Sequence, residues 1–264
     1  MRIREYLQPR RDIEVIELAA EKRRDPSERK AALASADVAI LCLPDEAARE
    51  VAGWVDGSST RLIDASTAHR VAEGWTYGMP EMAPEQREAI RSAQKVSNPG
   101  CWATCVILGL RPLVGAGLVL KDAPIAVHGI SGYSGGGKSM IARLEESSSP
   151  LKYLPFPSLY ALETQHKHIP EMTRYTGLDH RPHFIPSVGP FYTGMRVEIP
   201  LHRSMLADGV DGQSIWEGLN DTYTGEKFVR VAPLEEAAEY SERVLHMRDG
   251  QMVESAPAPL PGVA

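Results

Sequence analysis

Cysteine is scarce in this 264-residue chain, with three residues in all, and an odd count in a chain of this size does not make a disulfide framework. No apolar run approaches the roughly 20 residues of a membrane-spanning helix. Positive charge has no surplus: 29 Lys and Arg against 35 Asp and Glu leave a net charge of −6, whereas a nucleic-acid grip needs a basic face. The opening MRIREYLQPRRD is basic but has no apolar core behind it, so no secretory signal is read there. These absences exclude membrane and nucleic-acid partners and point to a reduced, cytoplasmic enzyme. What is present fits that class: 43% hydrophobic and 24% charged residues describe a soluble globular protein with a real core.

Two periods alternate through the first hundred residues. DIEVIEL reads as a strand, and PSERKAALASA as a helix opened by proline and serine. VAILCL is a continuous apolar run of strand length, which suits a sheet covered on both faces. PDEAAREVAGWVD, RLIDAS and APEQREAIRSA continue as helix, strand and helix. Such alternation implies a parallel, doubly wound sheet. From CWATCVILGLRPLVGAG onward the texture changes. A helical apolar stretch leads to the strand PIAVHGIS, a glycine loop and the helix SMIARLEE; FYTGMRVEIPLH and KFVRVAP read as strands and SIWEGLNDTYTG as a helix. That half is α+β, with the boundary near residue 98, and the Pro/Ala-rich end ESAPAPLPGVA is expected to be disordered.

SNPGC, Ser97 to Cys101, carries the strongest local chemistry. Asn98-Pro99-Gly100 is a turn before an apolar helix, which places Cys101 at a helix N-terminus, where amides and dipole favour the thiolate. A thiolate so placed is an activated nucleophile, against the bland alternative of a buried, hydrophobe-like cysteine. Cys42, inside VAILCL, reads as core filler, and Cys105, one turn beyond Cys101, as packing. A thiolate needs an acid/base partner. HKHIPE offers His166 and His168 just before a proline able to open a helix. Neither zinc spacing, CxxC or HxxxH, accompanies them, so no metal is expected. DASTAHR follows a strand end, where ligands collect in open parallel sheets, and Arg70 could hold a carboxylate or phosphate there.

GYSGGGKS, Gly132 to Ser139, satisfies the phosphate-loop pattern G-x-x-x-x-G-K-[ST]. The strand before it and helix after it also suit that reading. No later apolar strand ends in the magnesium-holding aspartate, so a P-loop triphosphatase is set aside; the amides of SGGG can still face an anion.

Taken in order, DASTAHR, YGMPEMAP, SNPGC, ISGYSGGGK, HKHIPEM and PFYTGMRVEIPL resemble the N-acetyl-gamma-glutamyl-phosphate reductases, especially their shorter form, from about residue 2 to about residue 238. The resemblance implies an incomplete Rossmann-type parallel sheet over residues 1–98, an α+β catalytic domain over 99–240, and a divergent tail over 241–264. It implies NADP-dependent reduction of N-acetyl-glutamyl phosphate, in arginine biosynthesis, by a homo-oligomer. Cys101 would be the nucleophile that forms a thioester, and His166, preferred over His168, the acid/base. Arg70, with Lys138 and His168, would bind substrate. Ser134, Gly135, Gly136, Leu43 and Pro44 would approach the nicotinamide cofactor.

Two departures accompany the resemblance. The strand and glycine-rich turn that usually open a dinucleotide-binding sheet do not precede MRIREYL, which reads as the end of the first helix. Beyond Tyr240 the likeness ends, in a stretch read as carrying neither a further strand nor a closing helix. The expected consequence is weak NADPH binding by the chain as written. The alternatives are a non-catalytic remnant and the related lysine-pathway reductase with a carrier-bound substrate.

Overall fold

Period-two and period-3.6 stretches do become strands and helices through most of the first hundred residues. The computed structural model describes residues 2–146, 156–239, 246–248 and 251–253. They fall into two compact units, one of residues up to Pro80 with Glu85–Pro99, the other of Glu81–Pro84 with Gly100 onward.

The first unit runs α1 (Arg2–Leu7), α2 (Pro26–Ala34), β1 (Val38–Leu41), α3 (Asp45–Gly53), β2 (Arg61–Asp64), β3 (Thr76–Tyr77), α4 (Gln86–Ser92) and β4 (Lys95–Ser97). Its four strands are all parallel in the order β1-β2-β4-β3, the sheet that alternating strands and helices imply. Asp25 caps α2 by accepting the Ser27 amide at 2.8 Å, with Pro26 in the first turn. The guanidinium of Arg61 donates to the Ala93 and Ile90 carbonyls, both at 2.9 Å, and so satisfies the carboxyl end of α4. Leu41, Val51, Ala52, Val55 and Leu62 form the core between helix and sheet.

Three expectations need correction. DIEVIEL forms no strand: residues 12–18 lie outside regular structure, and Ile13 and Ile16 are exposed. Alternation alone does not make a strand; a ladder partner and a covered face are also required, and β1 pairs only with β2 among the described strands. VAILCL is not covered on both faces, because Val38 and Ile40 are exposed on this edge strand. Cys42 follows as the next residue after β1 and is exposed, not core filler.

The second unit contains α5 (Cys101–Gly115), β5 (Ala126–Gly132), α6 (Gly137–Glu145), β6 (Ser158–Leu159), α7 (Ile169–Thr176), β7 (His183–Gly189), β8 (Met195–Glu198), α8 (Gly212–Tyr223), α9 (Leu234–Glu239), β9 (His246–Arg248) and β10 (Gln251–Val253). β5 and β7 pair in parallel over seven residues at the centre of a mixed sheet ordered β6-β7-β5-β8. α5 buries Trp102, Ala103, Val106, Ile107, Leu110, Leu113 and Val114, an all-round apolar helix of the kind that lies inside a domain. KFVRVAP, expected as a strand, is not one; Phe228 is exposed, and the Trp216 indole pins the segment by donating to the Ala232 carbonyl at 2.8 Å. Most of the expected tail, 241–264, lies outside the described residues. Its described pieces, β9 and β10, pair antiparallel where no strand was expected.

Candidate active site

The turn Asn98-Pro99-Gly100 ends where α5 begins, and Cys101 is the first residue of that helix. The sulfur-bearing residue is exposed, which removes the reading of a buried, hydrophobe-like cysteine. Gly100 caps the helix with extended backbone (φ −73°, ψ 140°) and is held at both polar groups. Its N–H donates to the carboxylate of fully buried Glu171 at 2.8 Å, and its carbonyl accepts the Thr104 amide at 2.9 Å. Glu171 belongs to the first turn of α7, so one buried carboxylate ties the start of α7 to the start of α5. Cys105, one turn on, lies against Met195 with the sulfurs 3.6 Å apart. Burial, and after it the neighbouring Cys101, pushes its thiol up to about 11, so it stays protonated at neutral pH and packs.

His166 and His168 lead into α7, His168 as its N-cap and Pro170 in its first turn. Both imidazoles are buried. His166 stands edge-on to Phe184 and His168, with ring centroids 5.1 and 4.8 Å away. Its Nδ1 accepts the His168 backbone N–H at 3.2 Å, and its Nε2 lies 3.5 Å from the Tyr160 hydroxyl. Burial, aided by the charge of Lys167 and opposed by Glu163, pulls His166 down to about 4. It is therefore neutral at pH 7. The Tyr160 oxygen in turn accepts the Trp102 indole N–H at 3.0 Å. Burial raises the Tyr160 phenol, the Trp102 hydrogen bond opposes this, and nearby Cys101 adds to the rise. Cys101, Trp102, Tyr160 and His166 thus gather at the start of α5, backed by Phe184.

Sequence reasoning reached Cys101 and the two histidines but not Tyr160, Trp102 or Glu171. Trp102 directly follows the cysteine and Glu171 closes HKHIPE, so both stood inside motifs already singled out. Only three-dimensional proximity separates them from their neighbours.

The glycine loop follows β5 as a short 3-10 turn over Tyr133–Gly136 and leads into α6. The amides of Gly132, Tyr133 and Ser134 already donate to the carbonyls of Gly194, Phe191 and Tyr192, and that of Gly137 to Ser134. A phosphate nest spanning the whole loop is consequently not formed, a physical reason against the triphosphatase reading. Gly135 and Gly136 are exposed, and a Cβ at Gly135 would meet only the Ser131 hydroxyl, at 4.0 Å. This bare backbone fits the close approach of a flat cofactor ring. Lys138 is exposed in the first turn of α6.

In the first unit, Leu43 packs partly on the core and Pro44 caps α3, both just past the carboxyl end of β1. The neighbouring strand β2 ends in Asp64, which is fully buried. Asp64 accepts the Ser66 amide at 2.9 Å, the Ser66 hydroxyl at 2.6 Å and Nδ1 of His69 at 2.6 Å. His69 stacks on Trp75 with centroids 4.0 Å apart. Asp45 accepts from both the amide and the hydroxyl of Thr67. DASTAHR is therefore a self-bonded turn at the carboxyl edge of the sheet, and Arg70, itself buried, leaves from it. Among the described residues no helix is long and apolar enough to cross a membrane.

Comparisons with known proteins agree with this architecture. Residues 8–90 match the family described as semialdehyde dehydrogenase, NAD binding domain, and residues 101–248 match semialdehyde dehydrogenase, dimerisation domain. N-acetyl-gamma-glutamyl-phosphate reductase 2 of a Nostoc species is 46% identical over 240 residues, covering 89% of this chain and 74% of that protein. The reductase of Burkholderia cenocepacia is 41% identical over 238 residues, covering 90% and 76%. Aspartate semialdehyde dehydrogenase II from Vibrio cholerae shares the fold with a TM-score of 0.56 at 16% identity, covering 76% of this chain and 67% of that one. A probable aspartate-semialdehyde dehydrogenase from Pseudomonas aeruginosa does so with a TM-score of 0.55 at 18% identity, and there the chain covers 62% of the other. An exposed cysteine opening α5, a parallel sheet before it, a mixed sheet after it and more than 40% identity through both place this chain in the N-acetyl-gamma-glutamyl-phosphate reductase family of the semialdehyde dehydrogenases.

Proposed function

We propose that this chain reduces an acyl phosphate to an aldehyde, N-acetyl-L-glutamyl 5-phosphate to N-acetyl-L-glutamate 5-semialdehyde, with NADPH. The observation that carries the reading is Cys101 itself, exposed at the first position of α5 and close to Tyr160, whose hydroxyl lies 3.5 Å from Nε2 of the neutral His166. The thiolate attacks the acyl carbon, the C–O bond to phosphate breaks, and a thioester remains on Cys101. NADPH, when bound, supplies the hydride that this thioester needs to become an aldehyde. Collapse of the resulting tetrahedral adduct breaks the C–S bond and returns the thiolate. His166, preferred over His168, is the acid/base of this scheme. Arg70, Lys138 and His168 supply positive or donor groups for the phosphate and carboxylate of the substrate. Leu43 and Pro44 at a strand end, and Ser134, Gly135 and Gly136 on an open loop, are the residues that would hold the nicotinamide cofactor; the open space at Gly135 fits this.

Residues 1–98 take the cofactor role, a reading supported by the likeness of residues 8–90 to a NAD binding domain, and residues 99–240 take the catalytic role. Assembly of identical chains through the second unit follows from the same likeness. Three cysteines, an odd number that makes no disulfide framework, suit the cytoplasm. The test is the reverse reaction: purified chain with N-acetylglutamate semialdehyde, phosphate and NADP should generate NADPH, and Cys101→Ser should not. A titration of NADPH followed by fluorescence separates a failure of cofactor binding from a failure of chemistry. Turnover retained by Cys101→Ser would overturn the mechanism.

A further inference from the structure

Strand order forces a crossing next to the glycine loop. β5 lies between β7 and β8 in the sheet, so the chain that leaves β7 at Gly189 must pass the carboxyl end of β5 before it starts β8 at Met195. Neighbouring strands stand about 4.8 Å apart, and residues 190–194 bridge two such spacings. β5 ends at Gly132, and the glycine loop leaves from the same place. The two segments therefore meet backbone to backbone. The amides of Gly132, Tyr133 and Ser134 donate to the carbonyls of Gly194, Phe191 and Tyr192 at 2.9, 3.0 and 3.0 Å. The Tyr133 ring also stands edge-on to that of Tyr192, with centroids 5.4 Å apart.

Contact this close demands glycine. Gly132 is buried, and a Cβ there would stand 2.6 Å from the Tyr192 carbonyl oxygen and 2.7 Å from the Thr193 nitrogen, both main-chain atoms. Ordinary contact needs about 3.5 Å, so a side chain at 132 drives the segments apart by up to about 1 Å. Gly194 has φ 117°, a conformation open to glycine and strained for other residues. Beyond the three bonded amides, Gly135 and Gly136 stay exposed, and a Cβ at Gly135 would meet only the Ser131 hydroxyl, at 4.0 Å.

We propose that the connection from Pro190 to Gly194 is a platform that positions the cofactor. Its carbonyls fix the glycine loop so that bare backbone at Gly135 and Gly136 meets the nicotinamide ring at one height, and Gly132 is the positioning residue that lets the two segments touch. The inference rests on the reading that this loop holds the nicotinamide cofactor, and it gives PFYTG a role that the reading left unused. A loop ordered before its ligand arrives loses little freedom on binding. Dispersion contacts fall by about a quarter to a half when a gap of about 0.5–1 Å opens, so the height of the loop sets how firmly it holds the ring.

Two measurements decide it. The first needs no variant and no turnover: amide hydrogen exchange of the ligand-free chain should already show Tyr133 and Ser134 strongly protected. Protection that appears only with NADPH overturns the proposal, because the loop is then ordered by its ligand. The second is a fluorescence titration with NADPH. Gly132→Ala should bind NADPH on the order of tenfold more weakly, within the roughly hundredfold that a misplacement of about 1 Å can cost, and Gly194→Ala should shift in the same direction. The alkylation rate of Cys101, which a general loss of folding would change, should stay at the wild-type value in both. A lowered urea midpoint with unchanged NADPH affinity marks a structural role only and refutes the platform. Gly135→Leu, which fills the open space itself, tests the underlying reading. If it binds NADPH as wild type does, or if wild type binds none, the cofactor reading falls. If it is weakened while folded Gly132→Ala and Gly194→Ala bind like wild type, the platform alone falls.

Discussion

A single methyl group at Gly129 should disturb the site through Trp102. A Cβ built there would stand 2.4 Å from Cζ3, 2.8 Å from Cη2 and 3.0 Å from Cε3 of Trp102. Carbon atoms in contact prefer about 3.5 Å or more, so strand and indole must part by roughly 1 Å. Neither side yields easily. Gly129 lies in β5, paired with β7 on one side and β8 on the other. Trp102 is buried, packs edge-on against buried Phe184 at 5.3 Å, and is tied to Tyr160 at 3.0 Å. Overpacking of this kind costs about 1–3 kcal/mol. If the indole moves, its hydrogen bond adds about 1 kcal/mol to the loss. Against this, Gly→Ala at ordinary backbone angles stabilises by about 0.4–1 kcal/mol through the unfolded chain. The clash wins, and Gly129→Ala should be destabilised by about 1–3 kcal/mol, with kcat lowered because Tyr160 loses its anchor. Gly115→Ala is the control: it ends α5, and nothing lies within 4 Å of its Cβ. Urea unfolding followed by tryptophan fluorescence, paired with the NADP-dependent assay, reads both effects. If Gly129→Ala unfolds within ~0.5 kcal/mol of wild type, the tolerance normally seen at uncrowded surface sites, the packing argument is refuted.

Alkylation followed by peptide mass spectrometry should mark exposed Cys42 and Cys101 at pH 8 and spare Cys105, whose thiol is held up to about 11; labelling of Cys105 first would contradict this. Cys105→Ser should accordingly keep most of the activity that Cys101→Ser loses. Glu171→Ala leaves the buried Gly100 N–H without that acceptor and should cost about 3 kcal/mol or more, whereas Glu171→Gln keeps an oxygen there and should cost clearly less. Equal unfolding midpoints for the two would show that the Gly100 contact is unimportant. The ordinary imidazole value of 6.5 falls to about 4 in folded His166, so between those values the unfolded chain binds more protons. Its contribution is whole above about pH 6.5 and is lost as pH falls toward 4. Urea midpoints at pH 7, 5 and 4 should therefore drop less steeply for His166→Gln than for wild type.

What the sequence made legible was local. Helix starts marked by Pro26 and Pro170 lie where those residues suggested, and the apolar run after SNPGC is α5. Cys101 could be found because a helix N-terminus is a property of a few adjacent residues. Strands were less legible, since a strand exists only through its partner. DIEVIEL and KFVRVAP have the alternation and no ladder, while HFIPSVG carries a proline in its middle and still forms β7, in full register with β5. Tyr160 shows the same limit at the site. Nothing in the spacing of Tyr160 and His166 reveals that an indole from a distant helix start holds the phenol. Cys42 was misread for a related reason: one residue past the end of an edge strand, an apolar run no longer guarantees burial.

The candidate site also divides its polar groups in a consistent way. Those around the proposed nucleophile are committed: Glu171 to Gly100, Trp102 to Tyr160, the His168 amide to His166. The groups a substrate must meet are open, with Cys101 exposed and Gly135 facing empty space. A site needs both, since donors that are already fixed stabilise developing charge without reorganising, and an exposed thiolate can be reached. The division explains why Glu171 is buried at the start of α5 despite its charge. A carboxylate there disfavours the thiolate electrostatically. It nevertheless anchors the residue preceding the nucleophile through a charge-assisted bond, which is roughly twice as strong as a neutral one. Alkylation rates of Cys101 measured against pH in Glu171→Gln would separate the two effects. A faster reaction at low pH means that charge dominates, and a slower one at every pH means that the anchor does.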